Sequence, residues 1–146
     1  HVSFIPIHAK SDEEQTSYNR RSGASFEKKD SLNTYYSGMY FMILGDFNDN
    51  FDKSIRPGQP SPYLNFLADQ ARYQPITRPL NIPGNQSTLN YANSVIDQQI
   101  ISSNMNNWYM PASVRIRTDV INVVPAYSSG NTSDHYPVTS VYRIHP

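Results

Sequence analysis

Cysteine is absent from the 146 residues, which excludes disulfide staples and thiolate nucleophiles or ligands. An excess of either charge is absent too: 12 Lys and Arg stand against 12 Asp and Glu, for a formal net charge of zero. A protein that grips duplex DNA by neutralising many phosphates is usually basic, so a broad electrostatic hold on nucleic acid is not expected; a local basic patch is still compatible. No apolar run approaches the ~20 residues that cross a bilayer, so no membrane span is expected. The chain opens on His1 rather than Met, with neither a charged n-region nor an apolar h-region behind it. The expectation is a piece of a longer protein, with any targeting signal upstream.

What is present is ordinary for a folded domain. Apolar residues make up 38% and charged residues 16%, and the length suits one domain with its own core. Val2 to His8 is apolar and β-branched and reads as a strand, with Pro6 suggesting an edge position or a strand end. Ser11 and Glu14 have capping-box spacing, which predicts a polar helix from there to about Tyr36. Tyr40 to Leu44 is a continuous apolar run, as in a strand covered on both faces. Ser61-Pro62 predicts the start of a second helix carrying Tyr63, Phe66, Leu67, Gln70 and Ala71, ended by Pro75. Val95 to Ile101 reads as a strand. Val114 to Arg117 alternates with period two, Val120 to Val124 extends or follows it, and Pro137 to Ile144 forms the last strand. The order is strand, helix, strand, helix, then three or four strands.

Acids, amides and histidines gather at strand ends: His8, then Asp46 with Asn48, then Asp134 with His135. A strand fixes the backbone there while the following loop opens the side chain to a substrate. Asp97 lies within an apolar strand, where an unpaired carboxylate would cost several kcal/mol, so it needs a partner, and a histidine is the obvious one. Taken singly each has an ordinary explanation. A strand-end histidine can be a surface residue, Gly-Asp-Phe-Asn can be a turn satisfying its own backbone, Ser-Asp-His can be a loop, and Asp97 can cap a neighbouring amide. Their joint occurrence in this order carries the argument.

Ile43-Leu44-Gly45-Asp46-Phe47-Asn48-Asp49 resembles the Gly-Asp-Phe-Asn signature of the endonuclease/exonuclease/phosphatase (DNase I-like) superfamily. Ser133-Asp134-His135-Tyr136-Pro137-Val138 resembles its closing Ser-Asp-His-X-Pro-Val motif. Ile5 to Lys10 is similar to the family's strand ending in His, and Val95-Ile96-Asp97 to its Ile-Asp strand. Gln98 departs from the His or Tyr of many relatives, a change expected to act around the site.

The resemblance implies an α/β (α+β) fold, half of a four-layer sandwich, with a mostly antiparallel sheet and helices on one face. Residues 1–146 would be a single partial domain, the C-terminal half, and the N-terminal half would be its partner. It also implies a hydrolase cutting a phosphodiester by in-line water attack with Mg²⁺ or Mn²⁺, a hard cation suited to an oxygen-rich site. Asp134 would be a metal ligand. Asp46 would orient or deprotonate the water, and Asn48 would hold it and a phosphate oxygen. His135 would bind the phosphate with Asp97 fixing its tautomer, and His8 would meet the phosphate or leaving group, as general acid.

The family's early Asn, metal-binding Glu and second acid lie in its N-terminal half. Glu13, Glu14 and Glu27 fall in the predicted helix, the wrong context for that Glu. The isolated chain is therefore expected to bind metal poorly and turn over slowly or not at all. It is also expected to expose an apolar sheet face and to self-associate or stay bound to its other half. A phosphodiester substrate, nucleic acid included, ranks ahead of phosphomonoester or sphingomyelinase-like hydrolysis, and a binding module without chemistry is the rival reading. Tyr- and Asn-rich loops without Cys resemble secreted or envelope-associated bacterial members, pointing to an extracellular or periplasmic site.

Other features fall outside this scheme. Trp108-Tyr109-Met110-Pro111 is expected to pack beneath a loop, and Arg20, Arg21, Lys28 and Lys29 to form the solvated face of the helix. Arg115 and Arg117 share a strand face that would flank a polyanion. Asn85-Gln86-Ser87 and Asn131-Thr132-Ser133 match glycosylation sequons.

Overall fold

Phe41-Met42-Ile43 has no polar interruption, and each of these side chains is buried. A strand of this kind has to lie inside a sheet with cover on both faces. In the computed structural model, which describes residues 1–144, it does so. The elements are β1 (Ser3–His8), α1 (Gln15–Tyr35), β2 (Phe41–Asp46), α2 (Leu64–Leu67), β3 (Tyr73–Gln74), β4 (Asp97–Ser102), β5 (Arg115–Ile116) and β6 (Val138–Thr139). The main sheet runs β1-β2-β4-β3, and β5 pairs with β6 in a second, two-stranded sheet. β1 and β2 are parallel, joined by the α1 crossover. All other pairs are antiparallel. The fold is α+β, rich in antiparallel pairing. Pro6 sits on β1, an outer strand of the main sheet.

The two faces of the main sheet differ. Ile5 and Ile7 of β1, Phe41 and Ile43 of β2 and Ile100 of β4 pack with Leu32 of α1 and with Phe66 and Leu67 of α2. Both helices thus cover one face. Each fully buried apolar side chain here contributes ~1.5–3 kcal/mol. The opposite face carries Met42, Leu44 and Ile101 beneath Met105, Trp108 and Tyr142. Trp108 stacks on Tyr40 with ring centroids 4.3 Å apart, so it packs under its loop as its sequence context suggests.

Several elements depart from the sequence reading. Ser11 caps no helix: α1 begins at Gln15, Glu14 occupies the cap position without a side-chain bond, and Asp12 has φ of 80°. The cause is Arg21, whose Nη1 donates to the carbonyls of Lys10 and Asp12 at 2.8 and 2.7 Å and holds that segment irregular. The second helix shrinks to Leu64–Leu67 because the Ser61 hydroxyl donates to the Asn50 carbonyl at 2.7 Å, a tertiary contact in place of a strong cap. Val120 to Val124 is not a strand; Thr118–Asn122 forms a 3₁₀ turn. The last strand is only Val138–Thr139, with a separate bridge from Tyr142 to Tyr109. β4 starts at Asp97, two residues later than expected.

Candidate active site

Register places the chemistry. His8 is opposite Asp46 across the β1–β2 pair, and Asp46 is opposite Asp97 across the β2–β4 pair. The three therefore form one row at one end of the sheet, on the face turned away from α1. Gly45 makes this row close-packed: its φ is 132°, and a Cβ there would collide with the Ile7 carbonyl oxygen.

Gly45 to Asn48 forms a tight turn closed by its own side chains. The Asn48 backbone N–H donates to Asp46 Oδ1 at 2.8 Å, and Asn48 Nδ2 donates to Asp46 Oδ2 and to the Ala9 carbonyl, both at 2.9 Å. Asn48 adopts φ of 50°, a conformation that asparagine tolerates better than most residues. Phe47 anchors the turn from below, edge-on to Phe51 and Tyr63, while the Tyr63 hydroxyl donates to its carbonyl at 2.5 Å. The local turn reading of these residues is thus correct, and it coexists with a tertiary role.

His135 reaches the row from the far end of the sequence. Residues 87–89 and 134–136 run side by side, with Leu89 N–H donating to the Asp134 carbonyl at 2.7 Å and Tyr136 N–H to the Ser87 carbonyl at 2.8 Å. The Tyr127 hydroxyl donates to the His135 carbonyl. His135 Nδ1 lies 3.0 and 2.9 Å from Asp97 Oδ1 and Oδ2, so Asp97 has the histidine partner its sequence position demands. The Ser87 hydroxyl donates to Asp97 Oδ2 at 2.7 Å and accepts from the Ile96 N–H at 2.9 Å. Nε2, the free face of the ring, points at two more carboxylates: Asp134 at 3.8 Å and Asp46 at 4.0 Å. His8 Nε2 is 3.6 Å from Asp46 Oδ2 and its side chain is 81% exposed, so it borders the site loosely.

Burial alone disfavours the His135 imidazolium, but the hydrogen bond and charge of Asp97, with the charges of Asp46 and Asp134, outweigh it and raise the pKa above the ordinary histidine value. Burial pushes the Asp97 carboxyl upward as well, against the bonds from Ser87 and His135. Both directions mean that the folded pair holds protons more tightly than the unfolded chain does.

The structure brings His8, Asp46, Asn48, Asp97, Asp134 and His135 to one place. Among the described residues no three His, Cys, Asp or Glu side chains form a metal-holding group. Asp134 is the carboxylate most open to a cation, with its side chain 47% exposed, while Asp46 engages both oxygens with Asn48. Mg²⁺ often keeps several waters and takes only one or two protein carboxylates, so these residues fit part of such a site rather than a whole one.

Four contributors escaped the sequence reading. Arg21 and Asp49 form a wholly buried pair, Nε to Oδ2 at 2.9 Å, directly behind the turn. Asp49 also accepts from Ser54 Oγ and from the Asn50 and Ile55 N–H groups. Arg21 is therefore not on a solvated helix face, and Lys29 pairs with Asp69 at 2.8 Å. Ser87 and Asn90 are the others, the latter with Nδ2 at 3.5 Å from Asp134 Oδ2. The only sequence signal for Ser87 was a glycosylation sequon, yet its side chain is buried. Gln98 turns away from the site to Thr77 at 2.6 Å, so it does not adjoin the row. Arg117 is committed to Asp119 at 2.7 and 2.8 Å, so it and Arg115 do not form a paired cationic face.

The chain matches no family model and no curated protein. Among solved structures it is similar to a 3'-5' exonuclease from Neisseria meningitidis, with a TM-score of 0.62 and 16% identity over 95% of this chain and 60% of that one. It is also similar to a functionally unknown conserved protein from Enterococcus faecalis V583, with a TM-score of 0.56 and 16% identity over 96% of this chain and 49% of that one. The chain thus spans about half to three fifths of the length of these structures. At that identity the likeness is one of fold: an α+β, nuclease-like arrangement of strands and helices.

Proposed function

We propose that this chain carries the phosphate-cleaving edge of a metal-assisted phosphodiesterase acting on nucleic acid, by in-line attack of water. One observation carries the reading: the Asp97–His135 pair presents Nε2 toward Asp46 and Asp134, both within 4.0 Å. A structural histidine would have no use for three surrounding carboxylates. The fold likeness to an exonuclease supports nucleic acid as the substrate class.

The roles follow from chemistry. Asp97 holds the His135 tautomer and favours its charged form, which binds a phosphoryl oxygen. Asp46, fixed by Asn48, orients the attacking water and accepts its proton. His8, largely exposed, meets the phosphate or the leaving oxygen. Asp134 would ligate a divalent cation, Mg²⁺ or Mn²⁺, which would supply charge neutralisation at the phosphoryl oxygens when bound. Further ligands from outside this chain would complete the site, so the isolated chain turns over slowly at best. The partial ligand set also favours a second reading for the isolated chain, phosphate binding without turnover.

The test is hydrolysis of bis-p-nitrophenyl phosphate against p-nitrophenyl phosphate in Mn²⁺, using the longest form of the protein that carries this chain. The diester should be preferred, and His135→Ala should lower kcat by ~10²-fold or more. An unchanged rate in that variant would refute the assignment.

A further inference from the structure

Beside Asn48 the molecule opens into a cavity of about 380 Å³, walled by Asp12, Glu13, Asn48, Ile55, Tyr91 and Ile96 among others. Asn48 is a wall shared with the catalytic row, because its Nδ2 bonds Asp46 Oδ2 at 2.9 Å. The loop after Ser87 links the two sites. Asn90 Nδ2 lies 3.5 Å from Asp134 Oδ2, and the next residue, Tyr91, lines the cavity while 63% exposed. That exposed ring stands on a fixed backbone: the Tyr91 N–H donates to Thr88 Oγ1 at 3.0 Å, and Thr88 is buried and bridged to His135.

The lining decides what fits. A tyrosine face and two isoleucines favour a flat apolar body, and the volume is of the order that ligand pockets take, ~300–1,000 Å³. Asp12 is paired with Lys10 at 2.8 Å, and Glu13 stands next to it. Carboxylates accept hydrogen bonds from the ring and exocyclic N–H groups of a base. Arg20 and Lys28 line a separate cavity on the α1 side of the sheet. A phosphate at His135 and His8 would thus border a ring-binding cavity through Asn48.

We infer that this cavity is a nucleobase subsite, seating an unpaired base next to the phosphate at Asp46, Asn48 and His135, with Tyr91 as its stacking face. The inference rests on the phosphodiesterase reading above. A base can enter only if it is unstacked, so the substrate end that binds is single-stranded or terminal.

The test titrates the protein with a fluorescently labelled, hydrolysis-resistant phosphorothioate hexanucleotide and with the same backbone carrying no bases, in Mg²⁺, read by anisotropy. Removing the bases should weaken wild-type binding about tenfold, ~1.4 kcal/mol. Tyr91→Ala should lose that preference, whereas Tyr91→Phe keeps the ring and should bind within about twofold of wild type. Equal wild-type affinity for the two strands, or a Tyr91→Ala protein that still prefers bases, overturns the subsite. Diester hydrolysis measured in parallel separates the two claims. If it remains dependent on His135 while the base preference is missing, only the subsite falls; if it shows no such dependence, both fall.

Discussion

The two faces of the main sheet are built from the same four strands and obey different rules. On the helix-covered face Phe41, Ile43 and Ile100 are essentially inaccessible, and a charged pair behind them, Arg21 with Asp49, is fully enclosed. On the opposite face the polar row of His8, Asp46 and Asp97 gives way along the strands to an open groove lined by Phe4, Leu44, Trp108 and Tyr142. Phe4 there is 66% exposed. The helix-covered face is closed; the other is closed around Met42 and Ile101 but leaves carboxylates and histidines accessible at one end. A site needs polar groups that are incompletely satisfied, and a stable core cannot accept them.

The comparison can be broken most sharply at the buried pair. Asp49→Ala leaves an enclosed guanidinium without its carboxylate and frees the loop around Ser54. A loss of ~3–5 kcal/mol in urea unfolding is expected. The double change Arg21→Met with Asp49→Leu should recover much of it; if Asp49→Ala costs less than ~1 kcal/mol, the pair is not what supports the turn.

Next come matched apolar deletions on the two faces. Ile100→Ala, in the covered core, should cost ~2–5 kcal/mol, whereas Phe4→Ser on the open face should change unfolding free energy by less than ~0.5 kcal/mol. Equal costs would erase the distinction between the faces. The open groove should show itself in association instead. Gel filtration of the isolated chain is expected to give concentration-dependent retention, and Phe4→Asp should reduce it. A wild-type chain eluting as a clean monomer at every concentration would count against the groove as a sticky surface.

The smallest effect is one of pH. The raised His135 pKa means that its stabilising interaction is fully present below the unfolded value, ~6.5, and is lost as pH rises through the folded value. Melting temperatures of wild type and His135→Asn should therefore differ more at pH 6 than at pH 9. A gap that widens with pH would reverse the assignment of Asp97 as the partner favouring the charged ring.

Much of this is legible in the sequence. Apolar runs announced β1, β2 and β4, and the strand-end polar residues announced the row, because both are local properties of the chain. Asp97 could be assigned a histidine partner from the cost of burying a bare carboxylate, although nothing local said which histidine. Arg21 departs from the expected solvated face because helix α1 has no clear apolar stripe to mark an inward position. Ser61 and Ser11 carried correct cap chemistry but had no control over which partner would claim them.

By itself the sequence determined which acids, amides and histidines gather at strand ends, the strands that bear them and the absence of thiol or broad cationic alternatives. Periodicity and composition need no partner, so they survive any change of surroundings. Only the tertiary structure decided that His8, Asp46 and Asp97 share one row, that His135 crosses 38 positions to reach Asp97, and that Tyr91 walls a cavity beside Asn48. Register and long-range pairing depend on which strand lies next to which, and the packing of the whole core sets that.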